Sequence, residues 1–215
     1  DNQLKVSAYT YQRPENFTGE KVGENIVPNA RTSSQSTYGI SIGAPIIKDK
    51  LFIFVNGEIE SREYPGIEWS ASKTDGSDAN AEKKISRTTT ADMKTVSDFL
   101  INNYNYNPGA YQDFGSFASE NYKIMARLDW NINQNHKFTF RYNDVKSTND
   151  QEVNSNSAPN PRGSARIGLK SMAFYNSNYN FTNYVRSFTG ELNSKFSDII
   201  SNKFLASYTH IQDTR

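Results

Sequence analysis

The chain has 215 residues, 35% hydrophobic, 22% charged and 13% aromatic, with a formal net charge of +1 and no cysteine. Mean hydropathy is -0.76, low for a packed core of this size, and no run of about 18 apolar residues could form a transmembrane helix. The missing cysteine excludes disulfides and thiol chemistry, and the absence of a basic cluster speaks against a nucleic-acid partner.

Residues 4–11 predict the first strand. Leu4, Val6 and Ala8 share one face, which Thr10 continues as a polar residue; Lys5, Ser7, Tyr9 and Tyr11 take the other. Period-two alternation means that one face meets something apolar and the other meets water. Residues 13–36 carry Pro14, Gly19, Gly23 and Pro28 and read as loop. Residues 37–47 form the next strand, with Tyr38, Ile40, Ile42 and Ala44 opposed to Gly39, Ser41 and Gly43. A turn at 48–50 leads into 51–62, whose first half is apolar on both faces: Leu51, Ile53 and Val55 on one, Phe52 and Phe54 on the other. One of those faces is expected to touch side chains inside a barrel.

Residues 63–120 make the longest connection. Within it, 73–78 is flexible by composition, and 91–104 predicts a short helix. Met93, Val96, Leu100 and Tyr104 fall on one stripe there, with Thr90 as N-cap. The clearest hairpin follows. Ile124, Ala126, Leu128, Trp130 and Ile132 alternate with polar neighbours, 133–135 turns, and Phe138, Phe140 and Tyr142 return. Residues 145–170, with Pro159, Pro161 and Gly163, read as loop. Residues 171–182 are aromatic but irregular and are expected to extend the next strand. In 184–196, Phe188, Gly190, Leu192 and Phe196 are in phase; 197–202 turns; and Phe204, Ala206 and Tyr208 are in phase in 203–211.

The sum is about seven strands, with short turns at 48–50, 133–135 and 197–202 alternating with long loops at 13–36, 63–120 and 145–170. That alternation predicts an all-β fold, an antiparallel up-and-down transmembrane β-barrel with periplasmic turns and extracellular loops. Its low hydropathy fits, because a barrel strand needs only every second residue apolar, and the 13 Tyr and 13 Phe suit interfacial girdles. An odd strand number cannot close such a barrel with both ends on one side. The chain also opens almost inside one strand and closes just after another, so it reads as part of a larger barrel.

Three segments carry a family resemblance. GAPIIKDKLFIFVNGEIESR (43–62) resembles a recurrent G-G-P-I-x-K-D-K-L-F-F-F segment, with Ala44 in place of the second glycine. RLDWNINQNHKFTFRYN (127–143) resembles an R-x-D-x-x-x-x-x-x-H-x-x-x-x-R-Y hairpin, and 192–196 with 202–209 is similar to the hairpin after it. In these the chain resembles the TonB-dependent outer-membrane receptors, specifically the Oar-like branch, over residues 3–215. The resemblance implies a barrel of about 22 strands with a plugged lumen and a TonB box. The partners it implies are outer-membrane lipid, the remainder of the barrel and its plug, TonB through the N-terminal part, and a surface lipoprotein or other protein. It carries over no substrate-contact residue, because the plug holds much of the substrate site.

Chemistry is sparse. Gly39-Ile-Ser-Ile-Gly43 matches the G-x-S-x-G pattern of hydrolases, but Ser41 sits mid-strand, where a nucleophile elbow needs a strand-to-helix turn. His136 and His210 lie on different hairpins and are too few for zinc. Asp75, Asp78, Asn80 and Glu82 could offer oxygen to calcium, but their spacing is not that of an EF-hand, and a solvated loop tip is the ordinary alternative. Asn16-Phe-Thr18 and Asn180-Phe-Thr182 match the glycosylation pattern, which has no use in a bacterial outer membrane.

The best contact candidates are Tyr104, Tyr106, Tyr111, Phe114 and Phe117 in YNYNPGAYQDFGSF, since aromatic rings give large contact at small entropy cost. The alternative is that they pack against neighbouring loops. The reading is a transporter wall in a Gram-negative outer membrane, with no enzyme activity and no cofactor. Its rivals are a surface protein for adhesion, complex assembly or secretion, and a soluble extracellular β-sandwich.

Overall fold

A computed structural model describes residues 2–17, 19, 21–26, 33–153 and 167–215. In chain order its elements are β1 (Lys5–Arg13), β2 (Lys21–Val22), β3 (Asn25–Ile26), β4 (Ser34–Ile47), β5 (Leu51–Tyr64), β6 (Ser70–Ser72), β7 (Ile85–Thr89), α1 (Thr90–Tyr104), β8 (Phe117–Asn131), β9 (His136–Gln151), β10 (Tyr179–Lys195) and β11 (Ser201–Thr214). Seven of them form one sheet in the order β1-β4-β5-β8-β9-β10-β11. Within it β1 with β4, β8 with β9, and β10 with β11 pair antiparallel: Val6 faces Ile42, Leu128 faces Phe140, and Phe188 faces Tyr208.

Each tight turn has a local cause. Asp49 adopts φ 59°, and the Lys50 N–H reaches the Ile47 carbonyl at 3.1 Å. The Asn133 side chain accepts from the N–H groups of Asn135 and His136, both at 2.9 Å, an Asx arrangement that mimics a backbone turn. The Ser197 hydroxyl accepts from the Ile200 N–H at 3.1 Å. Successive turns are also tied together, with the Asn131 N–H on the Lys50 carbonyl at 2.7 Å and the Lys195 N–H on the Asn135 carbonyl at 2.8 Å.

The strands run further than periodicity alone predicts. β9 continues to Gln151 and β10 begins at Tyr179, both inside stretches without clean alternation, because ladder hydrogen bonds continue where side-chain patterning stops. Of the irregular 171–182 stretch, 179–182 joins β10, whereas Tyr175–Ser177 forms a 3-10 turn. Residues 18, 20 and 27–32 of the first long connection, and 154–166 of the third with Pro159, Pro161 and Gly163, lie outside the described residues.

The chain divides into two compact units. One comprises Asp1–Arg62, Ser119–Asn149 and Phe181–Arg215; the other comprises Glu63–Ala118 and Asp150–Asn180. The second unit holds β6 paired parallel with β7, and α1. Its buried apolar side chains among the described residues are Ile67, Ala71, Met93 and Phe117. Phe117 packs edge-on against Tyr64 at 6.1 Å. Gly66 passes so close to the Gly115 carbonyl that a Cβ would stand 2.4 Å from it, which excludes any side chain there.

Two details of this unit correct the sequence reading. The helix N-cap is Thr89, not Thr90: the Thr89 hydroxyl accepts from the Asp92 N–H at 3.0 Å, and Asp92 accepts from the Thr89 N–H at 3.1 Å. Such a reciprocal capping box contributes about 1 kcal/mol. The buried stripe runs through Met93 and Ser97, while Val96 and Tyr104 are exposed. Residues 73–78, flexible by composition, form an organised turn. The buried Ser72 hydroxyl accepts from the N–H groups of Thr74 and Gly76, both at 3.1 Å, and bonds Asp78. Gly76 supplies the φ of 92° that the turn requires.

Candidate functional site

Residues opposed in an antiparallel ladder project to the same side, and the side alternates along each strand. With the registers and cross-strand contacts of the ladders, this gives the seven-stranded sheet two unlike faces. One carries Val6, Ala8, Tyr38, Ile40 and Ile42, then Tyr122, Ile124, Ala126, Leu128, Trp130, Phe138, Phe140 and Tyr142, then Phe188, Leu192, Phe204 and Tyr208. Phe188 bridges β9 and β10, with its ring 6.4 Å from Phe140 and 5.0 Å from Tyr142. Leu4, Val6, Ile40, Ile42, Ile46, Ile59, Ile124, Trp130, Phe188, Phe204 and Tyr208 are all exposed. Scattered surface apolar residues are normal in water, but one whole uncovered sheet face is not.

The opposite face is polar and cross-linked. Tyr9 on β1 donates to Glu58 on β5 at 2.7 Å, and Glu58 pairs with Lys123 on β8 at 2.7 Å. The Tyr9 ring lies over Gly39, where any Cβ would collide with it. Asn121 donates to Glu60 at 3.0 Å. Arg127 and Thr139 both donate to Asp129, at 2.8 and 2.9 Å. Glu191 pairs with Lys203 at 3.2 Å and accepts from Asn193 at 2.8 Å. Leu205 and Ile211 are the apolar exceptions on β11.

The ambiguity at 51–55 is also resolved. Phe54 lies against Gly43 on the polar face, so Phe52 and Phe54 project there and Leu51, Ile53 and Val55 project to the apolar face. Phe52 and Phe54 line a cavity of about 750 Å³ with Lys5, Ser7, Ser41 and Asp129. This face can hold water and offer hydrogen-bond donors and acceptors to a polar solute.

The five aromatic contact candidates are not gathered into one patch; no ring contact joins any two of them among the described residues. Tyr104 ends α1 at 68% exposure, with its ring on Phe99 at 5.8 Å. Tyr106 is 49% exposed. Tyr111 packs edge-on against Phe174 at 5.9 Å, Phe114 is half-buried, and Phe117 is 2% exposed. Tyr104 and Tyr106 are thus the two open to a ligand in this conformation, and Phe117 serves the core.

The remaining chemistry finds ordinary partners. Ser41 lies mid-strand with its hydroxyl 2.6 Å from that of Ser7, without the helix an elbow requires. His136 opens β9 with Nδ1 2.9 Å from the Ser194 hydroxyl. Asp78 is held below the usual carboxylate range by hydrogen bonds from Ser72 and Thr74, and Asp75 by hydrogen bonds from Ser77. Asn80 accepts from the Lys83 N–H at 2.9 Å. These oxygens brace a turn, and no cluster of three or more His, Asp or Glu able to hold a metal occurs among the described residues.

Sequence reading missed the Tyr9–Glu58–Lys123 link and a second cluster, Asp144 with Arg186, on the apolar face. Both join strands distant in sequence, and their registers are invisible before the sheet forms. The one available signal was phase: Glu58 and Glu60 fall in step with Phe52 and Phe54.

A search of curated proteins and of solved structures finds no match to the chain. A family model described as outer membrane beta barrel domain matches residues 2–215. Families of this kind are typically non-catalytic, their setting is the Gram-negative outer membrane, and on a match spanning nearly its whole length the chain belongs to the outer membrane beta barrel domain family.

Proposed function

We propose that the sheet is a section of the wall of a closed barrel in a TonB-dependent transporter of the Oar-like type. The apolar face would meet lipid, the polar face the lumen. The observation that carries this is inversion: the sheet leaves its apolar face open and cross-links its polar one. Strands β1 and β11 stand at the sheet's two edges, each with one neighbour. Unpaired backbone groups are costly in hydrocarbon, so further strands of the barrel would cover them. The three tight turns would be periplasmic and the long connections extracellular. A polar solute would then pass along Glu58, Lys123, Asp129 and Glu191, with energy supplied by TonB through a plug.

The test is in-cell cross-linking of the whole protein to TonB, combined with extraction. The reading expects the protein to leave the membrane only with detergent and to form a TonB adduct. Release by salt alone would overturn the barrel. Detergent-dependent extraction without an adduct would overturn the transporter and leave the barrel standing.

One observation favours a second reading, a surface protein that docks another protein. Phe99, Ile101, Tyr104 and Tyr106, on α1 and just after it, are all exposed. A protein partner captured at α1, with no TonB adduct, would favour that reading.

A further inference from the structure

We propose that the loop-side edge of the apolar face binds the phosphate group of an outer-leaflet lipid between Lys146 and Arg186. This rests on the membrane orientation proposed above. Charge is rare on that face and gathers at one place. Arg186 Nε donates to Asp144 at 3.1 Å, the Tyr142 hydroxyl donates to the same carboxylate at 2.8 Å, and the Tyr122 hydroxyl lies 3.4 Å away. Asp144 is 9% exposed and enclosed by these donors, so its charge is answered within the cluster.

The two cations are not so enclosed. The Arg186 side chain is 49% exposed. Lys146 has no carboxylate at ion-pair distance among the described residues; its ammonium stands 5.4 Å from the centre of the Tyr184 ring. The Arg186 guanidinium carbon stands 5.9 Å from the same ring. Two like charges on one ring are a natural seat for an anion. Arg offers a planar fork to phosphate oxygens, and Lys a point charge beside it. Glu120 is a further acid at this edge; it lies outward of Tyr122, opposite Thr148, and it limits how far from Tyr184 an anion can sit, while Asp150, beyond Thr148 on β9, accepts from the Ala118 N–H at 2.9 Å.

Depth supports a lipid as the source. Tyr38, Tyr122 and Tyr184 project from this face toward the ends of β4, β8 and β10 away from the tight turns, where a girdle marks the membrane–water boundary. A lysine or arginine within hydrocarbon is costly, whereas at headgroup depth it meets phosphate.

The test uses the whole protein in nanodiscs and native mass spectrometry. The probes are lipid A bearing its phosphates and the same lipid after enzymatic dephosphorylation. The expected result is retention of the phosphorylated form only, reduced roughly fivefold in Lys146→Gln, the size of one cation's contribution at a lipid surface. Arg186→Met alone would strand Asp144, so it is paired with Asp144→Asn, and the double variant is expected to lose retention as well. Millimolar inorganic phosphate should not displace the lipid; displacement would make the site one for free phosphate and overturn the proposal. Equal retention of both lipid forms, or equal retention by wild type and Lys146→Gln, would also overturn it while leaving the barrel reading intact. Failure of the protein to enter nanodiscs at all would overturn both.

Discussion

The two units bury opposite things. In the unit formed by Glu63–Ala118 and Asp150–Asn180, the buried side chains include Ile67, Ala71, Met93 and Phe117, as in any small domain folding in water. Among the described residues of the sheet unit, the buried ones are Ser33, Thr37, Ser119, Asp144 and Ser194, and large apolar side chains such as Val6, Ile42, Phe204 and Tyr208 are exposed. On the membrane orientation proposed above, one chain contains both solvent regimes. A water-folded unit gathers apolar atoms to remove them from water, whereas a sheet facing hydrocarbon gains nothing by hiding them and must instead pair every backbone group.

The sharpest way to break this contrast is to attack each unit by its own rule. Phe117→Ala should cost about 3–5 kcal/mol, the usual loss for a buried Phe. Hydrogen exchange should show protection lost across 63–118 while the β8–β9 ladder stays protected. Loss of protection throughout would mean that the two units do not fold by separate logic.

Next in size is a charge on the apolar face. Ile42→Arg should cost about 2–4 kcal/mol of folding free energy in bilayers. Ser207→Arg, on the polar face of β11, should stay within about 0.5 kcal/mol. Equal costs in denaturant titrations would remove lipid as the partner of the apolar face.

Smaller effects sharpen the water-folded side. Thr89→Ala removes the N-cap hydroxyl and should destabilise α1 by about 1 kcal/mol, whereas Thr90→Ala should cost less; exchange rates of the α1 amides would tell them apart. The smallest effect is with pH. Hydrogen bonds from Thr89 hold the Asp92 carboxyl below its usual range. A carboxylate lowered on folding contributes stability above its unfolded pKa and loses it as pH falls through the folded one. Amide protection in the first turn of α1 should therefore be constant near neutrality and weaken only below the ordinary carboxylate range. Asp92→Asn should abolish that dependence; persistence in the variant would assign it to another group.

Strand identity and face were written locally. Alternation at Ile124–Trp130 and Phe138–Tyr142 depends only on neighbours along the chain, and so do the turns at Asp49, Asn133 and Ser197. Those residues sufficed to predict an antiparallel, hairpin-built sheet with one apolar face, and the helix near 91–104. The helix start missed by one residue because Thr89 and Thr90 are equally good caps by type, and only the Asp92 contact chooses between them. The buried stripe of α1 was misread because the face it presents is set by what lies beneath it. The organised turn around Ser72 was hidden because a polar composition does not reveal that one serine hydroxyl serves several donors.

By itself, the sequence determined the alternation, the tight turns and therefore the class of sheet, because these follow from period and turn chemistry within a few residues. Only tertiary structure decided which polar groups meet, Tyr9 with Glu58 and Lys123 and Asp144 with Arg186, and that Phe117 is buried while Tyr104 is exposed. The physical reason is register. A ladder brings together residues dozens of positions apart, and no short-range preference along the chain encodes which of them will stand opposite each other.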